Sequence, residues 1–265
     1  MTKQFVAAAL AFGMFVAAPG GLPAAHAQSD SPNGLSDPDS SFSSDNRRAA
    51  WQAEVERTER GFLIGNPDAD AALIEFISYT CGHCATFARE GEGALDLALL
   101  APGLMSLEVR PVIRNGIDLT VSLLVACGAP EGFKDRHRMF LMRQDDWLDK
   151  VRSAPQSQQT IWARGDRAGR LNAARALDLD DMLAARGTSI ADINTCLSDN
   201  EAALALIQNG NADREEFTVP GTPSFALDGE LLTDVHSWSA LYPVLAERFR
   251  PGNDNSGSDG FGGAD

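Results

Sequence analysis

The chain has 265 residues, of which 22 are Lys or Arg and 37 are Asp or Glu, and its formal net charge is −15. This excess of acid argues against nucleic acid or an anionic membrane surface as the partner. The four cysteines are an even number, so an oxidising compartment would allow all of them to pair.

Residues 1–27 have the pattern of a secretory signal. Lys3 is the single charge, a long apolar run follows it, and residues 25–27 match the small-x-small cleavage rule. Helix breakers at 19–23 limit the apolar run to less than a bilayer span requires. We therefore expect export, cleavage after Ala27 and no stable membrane insertion; the alternative is an uncleaved anchor.

Two polar segments flank the rest of the chain. Residues 28–48 are rich in Ser, Asp and Pro, and residues 251–265 are rich in Gly, Asp and Ser. Neither segment has enough apolar side chains to order itself, so we predict a disordered linker and a disordered tail. The roughly 200 residues between them are enough for one large domain or for a core with an insertion.

Residues 49–115 have a β-α-β pattern. Pro111 in the second strand indicates a sheet edge or a strand end, because proline cannot donate a ladder hydrogen bond. The predicted elements are an amphipathic helix at 49–61, an extended segment at 62–65, a turn at 66–70, a strand at 72–79, a helix at 85–100 and a strand at 106–114.

Residues 116–215 are predicted to be a helical insertion. Apolar residues recur there at helical spacing, with Gly or Pro between the stretches. Strands return in residues 216–250, around the strong two-residue hairpin signal Asp228-Gly229. The elements predicted in this last part are strands at 224–227 and 230–232 and an amphipathic helix at 237–249.

The sequence Cys-Gly-His-Cys at 81–84 lies where a predicted strand gives way to a helix. The first sulfur is then at the helix N-terminus, where unpaired N–H groups and the helix dipole favour thiolate over thiol. This context predicts a redox-active dithiol. The alternatives are a structural disulfide or half of a zinc site, which needs two further ligands that the isolated Cys127 and Cys196 supply poorly.

The order of elements resembles the α/β thioredoxin fold with an inserted α-helical domain that is typical of DsbA-like proteins. The stretch 65–84 resembles the opening of that family's redox domain. The sequence Val-Pro-Gly-Thr-Pro-Ser-Phe at 219–225 resembles its cis-proline loop. The resemblance extends over residues 61–248, and the two motifs together are specific.

The resemblance implies a role for each site residue. Cys81 is the nucleophile and Cys84 the buried resolving thiol, with Pro223 as the cis-proline facing them. Thr222 before it would expose its backbone, so that an extended substrate pairs with it as an added strand. Glu75 matches the buried acid beneath the dithiol.

Glu75 lies in an otherwise apolar strand, so we predict that it is buried, has a raised pKa and accepts the Cys84 proton; the alternative is an acid facing solvent. His83 is predicted to stabilise the Cys81 thiolate, with metal ligation as a minor alternative. His137 and His236 are predicted to be ordinary surface or capping residues.

Some DsbA-like proteins carry a second bridge in the insertion, so the resemblance implies a structural disulfide between Cys127 and Cys196. Closing this loop would stabilise the fold by roughly 4 kcal/mol on chain-entropy grounds. Two buried thiols or a second redox pair are the alternatives.

The resemblance implies a monomeric periplasmic oxidoreductase, without cofactor or metal, that introduces disulfides into exported proteins. A DsbB-type membrane protein linked to quinone would reoxidise it. Gly-His between the cysteines differs from the family's common Pro-His, which leaves a disulfide isomerase or reductase as an alternative. Isomerases of the DsbC type add an N-terminal dimerisation domain, for which residues 28–60 are too short and too polar. A metal-handling or client-holding module on the same fold is the second alternative.

Overall fold

The computed structural model describes residues 50–250. The predicted leader at 1–27, linker at 28–48 and tail at 251–265 lie outside these residues. Between 50 and 250 the strands are β1 Val55–Arg57, β2 Phe62–Gly65, β3 Ala71–Ile77, β4 Met105–Pro111, β5 Ser224–Leu227 and β6 Glu230–Leu231. They form a mixed sheet with the order β1-β2-β4-β3-β5-β6.

Strand β3 lies inside the sheet, parallel to β4 and antiparallel to β5. Leu73 and Ile77 face the main core, whereas Phe76 packs into a smaller cluster on the other face. A strand covered on both faces is a nearly continuous apolar run, which explains the sequence pattern here. Strand β4 ends at Pro111 between β2 and β3, so the predicted strand end is correct and the predicted sheet edge is wrong.

The helix predicted at 49–61 is wrong. A 3-10 turn at Trp51–Ala53 is followed by β1, which forms an antiparallel hairpin with β2. Val55 lies opposite Ile64 in this hairpin, and both side chains are buried. The spacing of the apolar residues fits a helix, but pairing with β2 buries Val55 and also satisfies its backbone groups.

The helix predicted at 85–100 is interrupted once. A Cβ on Gly91 would come within 2.8 Å of the Trp238 ring, so glycine is required where the C-terminal helix crosses this point. The chain turns there while remaining helical. The segments are α1 Gly82–Glu90, α2 Glu92–Leu95 and a π-helical turn at Asp96–Leu100.

Helices α3 to α10 fill the region between 116 and 216, where the insertion is predicted. Helix α3 is buried along nearly its whole length and packs against α4, α7 and α9. A disulfide joins Cys127, at the end of α3, to Cys196 in α9, which is the pairing that the resemblance implied. The helices are α3 Gly116–Ala126, α4 Phe133–Met142, α5 Gln144–Ser153, α6 Gln156–Ala163, α7 Arg167–Ala176, α8 Leu179–Ala184, α9 Ile190–Ser198 and α10 Asn200–Glu216.

A hairpin and a helix complete the described chain. Asp228 and Gly229 have φ values of 51° and 88°, the left-handed conformation that a two-residue hairpin turn needs. Helix α11, Trp238–Arg248, buries Leu241 and Leu245 against the sheet's main core. No helix in residues 50–250 is long and apolar enough to span a bilayer.

Candidate active site

Strand β3 ends at Ile77, a short loop begins at Ser78, and Cys81 is the N-cap of α1. The Gln144 Nε2 atom donates hydrogen bonds to the carbonyl oxygens of Tyr79 (2.8 Å) and Cys81 (2.9 Å). Gln144 is itself buried, so helix α5 of the insertion fixes the backbone that presents the nucleophile. Nothing local in the sequence marks this glutamine, because its partners lie more than sixty residues away.

The two cysteines of the motif have opposite acidities. The pKa of the Cys81 thiol is lowered to about 4, chiefly by the hydrogen bond from the Cys84 side chain. A hydrogen bond with Thr222 and the backbone N–H groups of His83 and Cys84 lower this pKa further, whereas burial raises it. Burial raises the pKa of Cys84 well above its usual value. Both thiols are free, so this is the reduced form. A stabilised thiolate beside a buried thiol is the arrangement that disulfide exchange requires.

The cis-proline loop lies against the nucleophile. The Thr222–Pro223 peptide bond is cis, as expected, and the Cys81 Sγ atom lies 3.0 Å from the Thr222 carbonyl oxygen. Nδ1 of His236 lies 2.8 Å from the Pro223 carbonyl oxygen. A carbonyl only accepts, so Nδ1 carries the proton in this tautomer. His236 is exposed, as predicted, but its position makes it a support of the loop rather than an ordinary surface residue.

Glu75 is fully buried on the same face of β3 as Leu73 and Ile77. Burial first, and then the charge of Glu92, raises its pKa well above the usual 4.5. Neither carboxyl oxygen has a hydrogen-bond partner among the described residues. An ionised Glu75 adds to the effects that raise the pKa of Cys84. The alternative of an acid facing solvent is therefore wrong, and the role of proton acceptor stays a prediction.

The prediction for His137 is wrong. Its ring is buried, with Nε2 2.9 Å from Glu92 Oε1 and Nδ1 2.9 Å from the Tyr79 hydroxyl oxygen. A signal for this burial exists in the sequence. His137 lies four residues after Phe133 and three before Phe140, both of which are buried on the same face of α4.

Asp118, at the start of α3, is a second buried acid that the sequence did not reveal. It accepts hydrogen bonds from the Ser78 hydroxyl (2.7 Å) and from the backbone N–H groups of Tyr79 (2.8 Å) and Arg114 (3.0 Å). Burial raises its pKa to about 6 in spite of these bonds. Asp118 thereby ties the loop before Cys81 to the insertion.

An open cleft of about 380 Å³ lies beside the nucleophile. Its lining includes the exposed His83, the cis-proline loop and two exposed arginines, Arg114 and Arg214. Residues 50–250 contain no cluster of three or more His, Cys, Asp or Glu side chains that could hold a metal ion. Cys127 and Cys196 are bonded to each other, so they do not complete a zinc site with the dithiol.

Solved structures of other proteins are similar to this chain. A protein-disulfide isomerase from Novosphingobium aromaticivorans has 35% sequence identity and a TM-score of 0.68, over 70% of this chain and 95% of that one. The alpha-DsbA1 protein of Wolbachia pipientis has 16% identity and a TM-score of 0.57, over 75% and 94% of the two chains. At this lower identity the likeness concerns the fold alone.

Curated relatives from Rickettsia conorii and Rickettsia bellii, both named "Putative protein-disulfide oxidoreductase", are 25% and 27% identical over 172 residues, or 64% of this chain. The chain spans about half the length of these relatives, 54% and 58%. A family model described as thioredoxin matches residues 57–246. This match runs through the sheet and the helices inserted into it, and the chain therefore belongs to the thioredoxin family, in its DsbA-like form.

Proposed function

We propose that this protein is a periplasmic thiol–disulfide oxidoreductase that works as an oxidase and introduces disulfides into exported proteins. The observation that carries the proposal is the pKa of about 4 for the Cys81 thiol. A thiolate held this strongly makes the reduced dithiol favourable, so the corresponding disulfide tends to pass to a substrate.

The reaction begins with a disulfide between Cys81 and Cys84. A substrate thiolate attacks the Cys81 Sγ atom, the bond between the two protein sulfurs breaks, and Cys84 leaves with the electron pair. Because Cys84 is buried and its pKa is raised, it takes up a proton, which the protonated Glu75 carboxyl supplies. In the reverse direction Glu75 accepts that proton as Cys84 attacks the mixed disulfide.

A second substrate thiolate then attacks the substrate sulfur of the mixed disulfide. Cys81 leaves as a thiolate, which its low pKa makes easy. The substrate has lost two electrons to the dithiol and gained a disulfide. The Thr222 backbone beside Cys81 supports binding of the substrate as an extended strand.

The periplasm and a redox partner complete the proposal. The secretory pattern of residues 1–27 supports export, and an exported oxidase that ends each cycle reduced needs an electron acceptor. A DsbB-type membrane protein linked to quinone has the required chemistry, since it would accept two electrons from the dithiol. The substrates are reduced exported proteins.

A disulfide isomerase is the second candidate. The similar protein from Novosphingobium aromaticivorans is named a protein-disulfide isomerase, and its 35% identity covers 95% of that chain. An isomerase attacks with the reduced dithiol, in which the free Cys81 thiolate opens a wrong disulfide. The two candidates therefore differ in which redox state of the dithiol does the work.

The test is the equilibrium of the dithiol with glutathione, read by alkylation of free thiols and mass measurement. The C81S/C84S variant keeps the Cys127–Cys196 bond and corrects for any contribution from it. An oxidase should remain reduced in buffers where glutathione itself is largely oxidised. A strongly reducing potential, close to that of thioredoxin at about −270 mV, would overturn the oxidase assignment. Two rates then distinguish the candidates: repair of a wrongly bridged protein by the reduced form, and oxidation of a dithiol peptide by the oxidised form. A faster repair than oxidation favours the isomerase.

A further inference from the structure

We propose that the cleft beside Cys81 selects protein segments in which a carboxylate side chain flanks the reactive cysteine. The inference rests on the proposed reaction with protein cysteines and names the substrate class. What carries it is the pair of arginines, Arg114 and Arg214, that lines the cleft together with Cys81 and the cis-proline loop.

The charge of the cleft is opposite to that of the chain. Its described lining contains two arginines and a histidine but no carboxylate. The chain as a whole has a formal net charge of −15. A positive cleft at the nucleophile of an acidic protein concentrates the attraction for anionic groups at one place.

The two arginines come from segments that contact each other. Arg114 follows β4, and its backbone N–H donates to the buried Asp118 carboxylate at 3.0 Å. Arg214 lies on α10, and its Nη1 atom is 3.5 Å from the carbonyl oxygen of Ile113, the neighbour of Arg114. The Arg214 guanidinium group is therefore held next to the segment that carries Arg114, and both residues line the cleft.

Neighbouring carboxylates do not pair with these two arginines. Asp213 binds Arg60 at 2.9 Å and Arg110 at 3.0 Å, and Glu216 binds Arg60 as well. Asp213 and Glu216 are one and two positions away from Arg214, and side chains at that spacing do not face each other on a helix. Their ion pairs therefore lie on a different side of α10. Across residues 50–250 neither cleft arginine belongs to an ion pair, although the charge of Arg114 also acts on Asp118 beneath it.

A substrate cysteine must bring its sulfur to Cys81, so its sequence neighbours enter the cleft that Thr222 and the two arginines line. A carboxylate there can accept paired hydrogen bonds from a guanidinium group. A lysine there meets two like charges. Attraction of acidic flanks and rejection of basic ones both contribute to the selection.

The test uses C84S protein, whose single Cys81 thiolate attacks peptides that carry a thiopyridyl-activated cysteine. Cys81 forms a mixed disulfide with the peptide sulfur, and thiopyridone leaves with the electron pair and is followed by absorbance. Three peptides differ only in the two residues that flank the cysteine, which are Asp, Asn or Lys. Each rate is divided by the rate of the same peptide with mercaptoethanol, which removes the effect of the flanks on intrinsic reactivity.

We expect the normalised rate to be about tenfold higher for the Asp peptide than for the Lys peptide at low salt. Each arginine should contribute a factor of about two to five to this preference. The preference should shrink as salt rises. R214Q should reduce it and R114Q/R214Q should bring it close to one. R175Q is the matched control, because Arg175 is an exposed arginine in the insertion, and it should leave the preference unchanged.

Equal normalised rates for the three peptides, or a preference that survives in R114Q/R214Q, would overturn the inference. This result does not depend on the direction of the natural reaction, because C84S protein reacts the same way in an oxidase and an isomerase. Failure of the proposed oxidase function would appear instead in the glutathione equilibrium of the wild-type dithiol.

Discussion

The Nδ1 atom of His137 and the hydroxyl oxygen of Tyr79 lie 2.9 Å apart, and the other ring nitrogen lies 2.9 Å from Glu92 Oε1. All three side chains are buried. In the tautomer in which Nε2–H donates to the Glu92 carboxylate, Nδ1 accepts from the Tyr79 hydroxyl. The ring thus joins helices α4 and α2 to the loop that precedes Cys81.

We expect H137F to lower the free energy of unfolding by about 2–4 kcal/mol, because the buried Tyr79 hydroxyl and the Glu92 Oε1 atom lose the hydrogen bonds that the ring makes with them. Urea denaturation of the reduced protein measures this change. H83F makes the same substitution at an exposed position and should change the stability by less than about 0.5 kcal/mol. Equal effects of the two substitutions would contradict the importance of the buried contacts.

Glu75 makes stability depend on pH in a defined direction. Its folded-state pKa is raised above the usual 4.5, so the folded protein keeps a proton that the unfolded chain releases. The free energy of unfolding should therefore fall as pH rises from about 4.5 through the folded-state pKa. E75Q should remove this part of the slope, so that the variant gains on the wild type at about pH 8 but not at about pH 4. Urea denaturation of the wild type and of E75Q at both pH values measures the effect. The same difference in free energy of unfolding at pH 8 and at pH 4 would contradict the predicted role of the Glu75 proton.

E75Q should also slow the exchange reaction. The glutamine cannot supply or accept the Cys84 proton, and loss of such a group costs about 10²-fold or more when proton transfer limits the rate. The measurement is single-turnover oxidation of a dithiol peptide. The control is attack of the Cys81 thiolate on a thiopyridyl-activated peptide, compared between C84S and E75Q/C84S protein, because no proton moves at Cys84 in that step.

The dithiol and the burial of Glu75 could be predicted because each is defined by its neighbours in the sequence, whereas the cis bond before Pro223 was implied by the resemblance. The cysteine motif marks a strand-to-helix junction, and Glu75 shares its side of the strand with Leu73 and Ile77. The pairing of Cys127 with Cys196 came from the resemblance and not from the spacing, which alone allows other states.

What the sequence did not reveal depends on contacts between distant segments. Gln144 and Asp118 support the loop before Cys81 from the insertion, and Arg214 reaches the cleft from α10. The predicted helix at 49–61 failed for a related reason. Its apolar spacing is compatible with a helix or a strand, and the strand forms because β2 lies beside it.

Cys84 is the largest contributor to the low pKa of Cys81, ahead of Thr222. C84A removes the donor, so the pKa of Cys81 should rise above about 4, whereas C84S keeps a donor and should stay closer to that value. Ultraviolet absorbance of the thiolate as a function of pH measures both variants. The same midpoint in C84A and C84S would assign the low pKa to the helix N-terminus and the backbone instead.

The disulfide between Cys127 and Cys196 is expected to serve stability and not exchange. The C127A/C196A variant removes a bridge over 69 residues, which should lower the free energy of unfolding by roughly 4 kcal/mol. Thermal and urea denaturation measure the loss, and peptide oxidation at a temperature where the variant is folded should proceed at the wild-type rate. A large loss of oxidation under those conditions would make this bridge part of the reaction.

His236 is expected to hold the cis-proline loop in position for substrate. H236A removes the Nδ1–H donor to the Pro223 carbonyl oxygen, while H236N places an amide N–H at about the same point. We expect H236A to raise the KM for a dithiol peptide by about tenfold with a smaller change in kcat, because loss of one such hydrogen bond is worth about 1 kcal/mol and the loop also becomes less ordered. H236N should recover most of the loss. Equal KM values in the two variants would show that the imidazole ring acts through packing or charge, since the hydrogen bond alone distinguishes them.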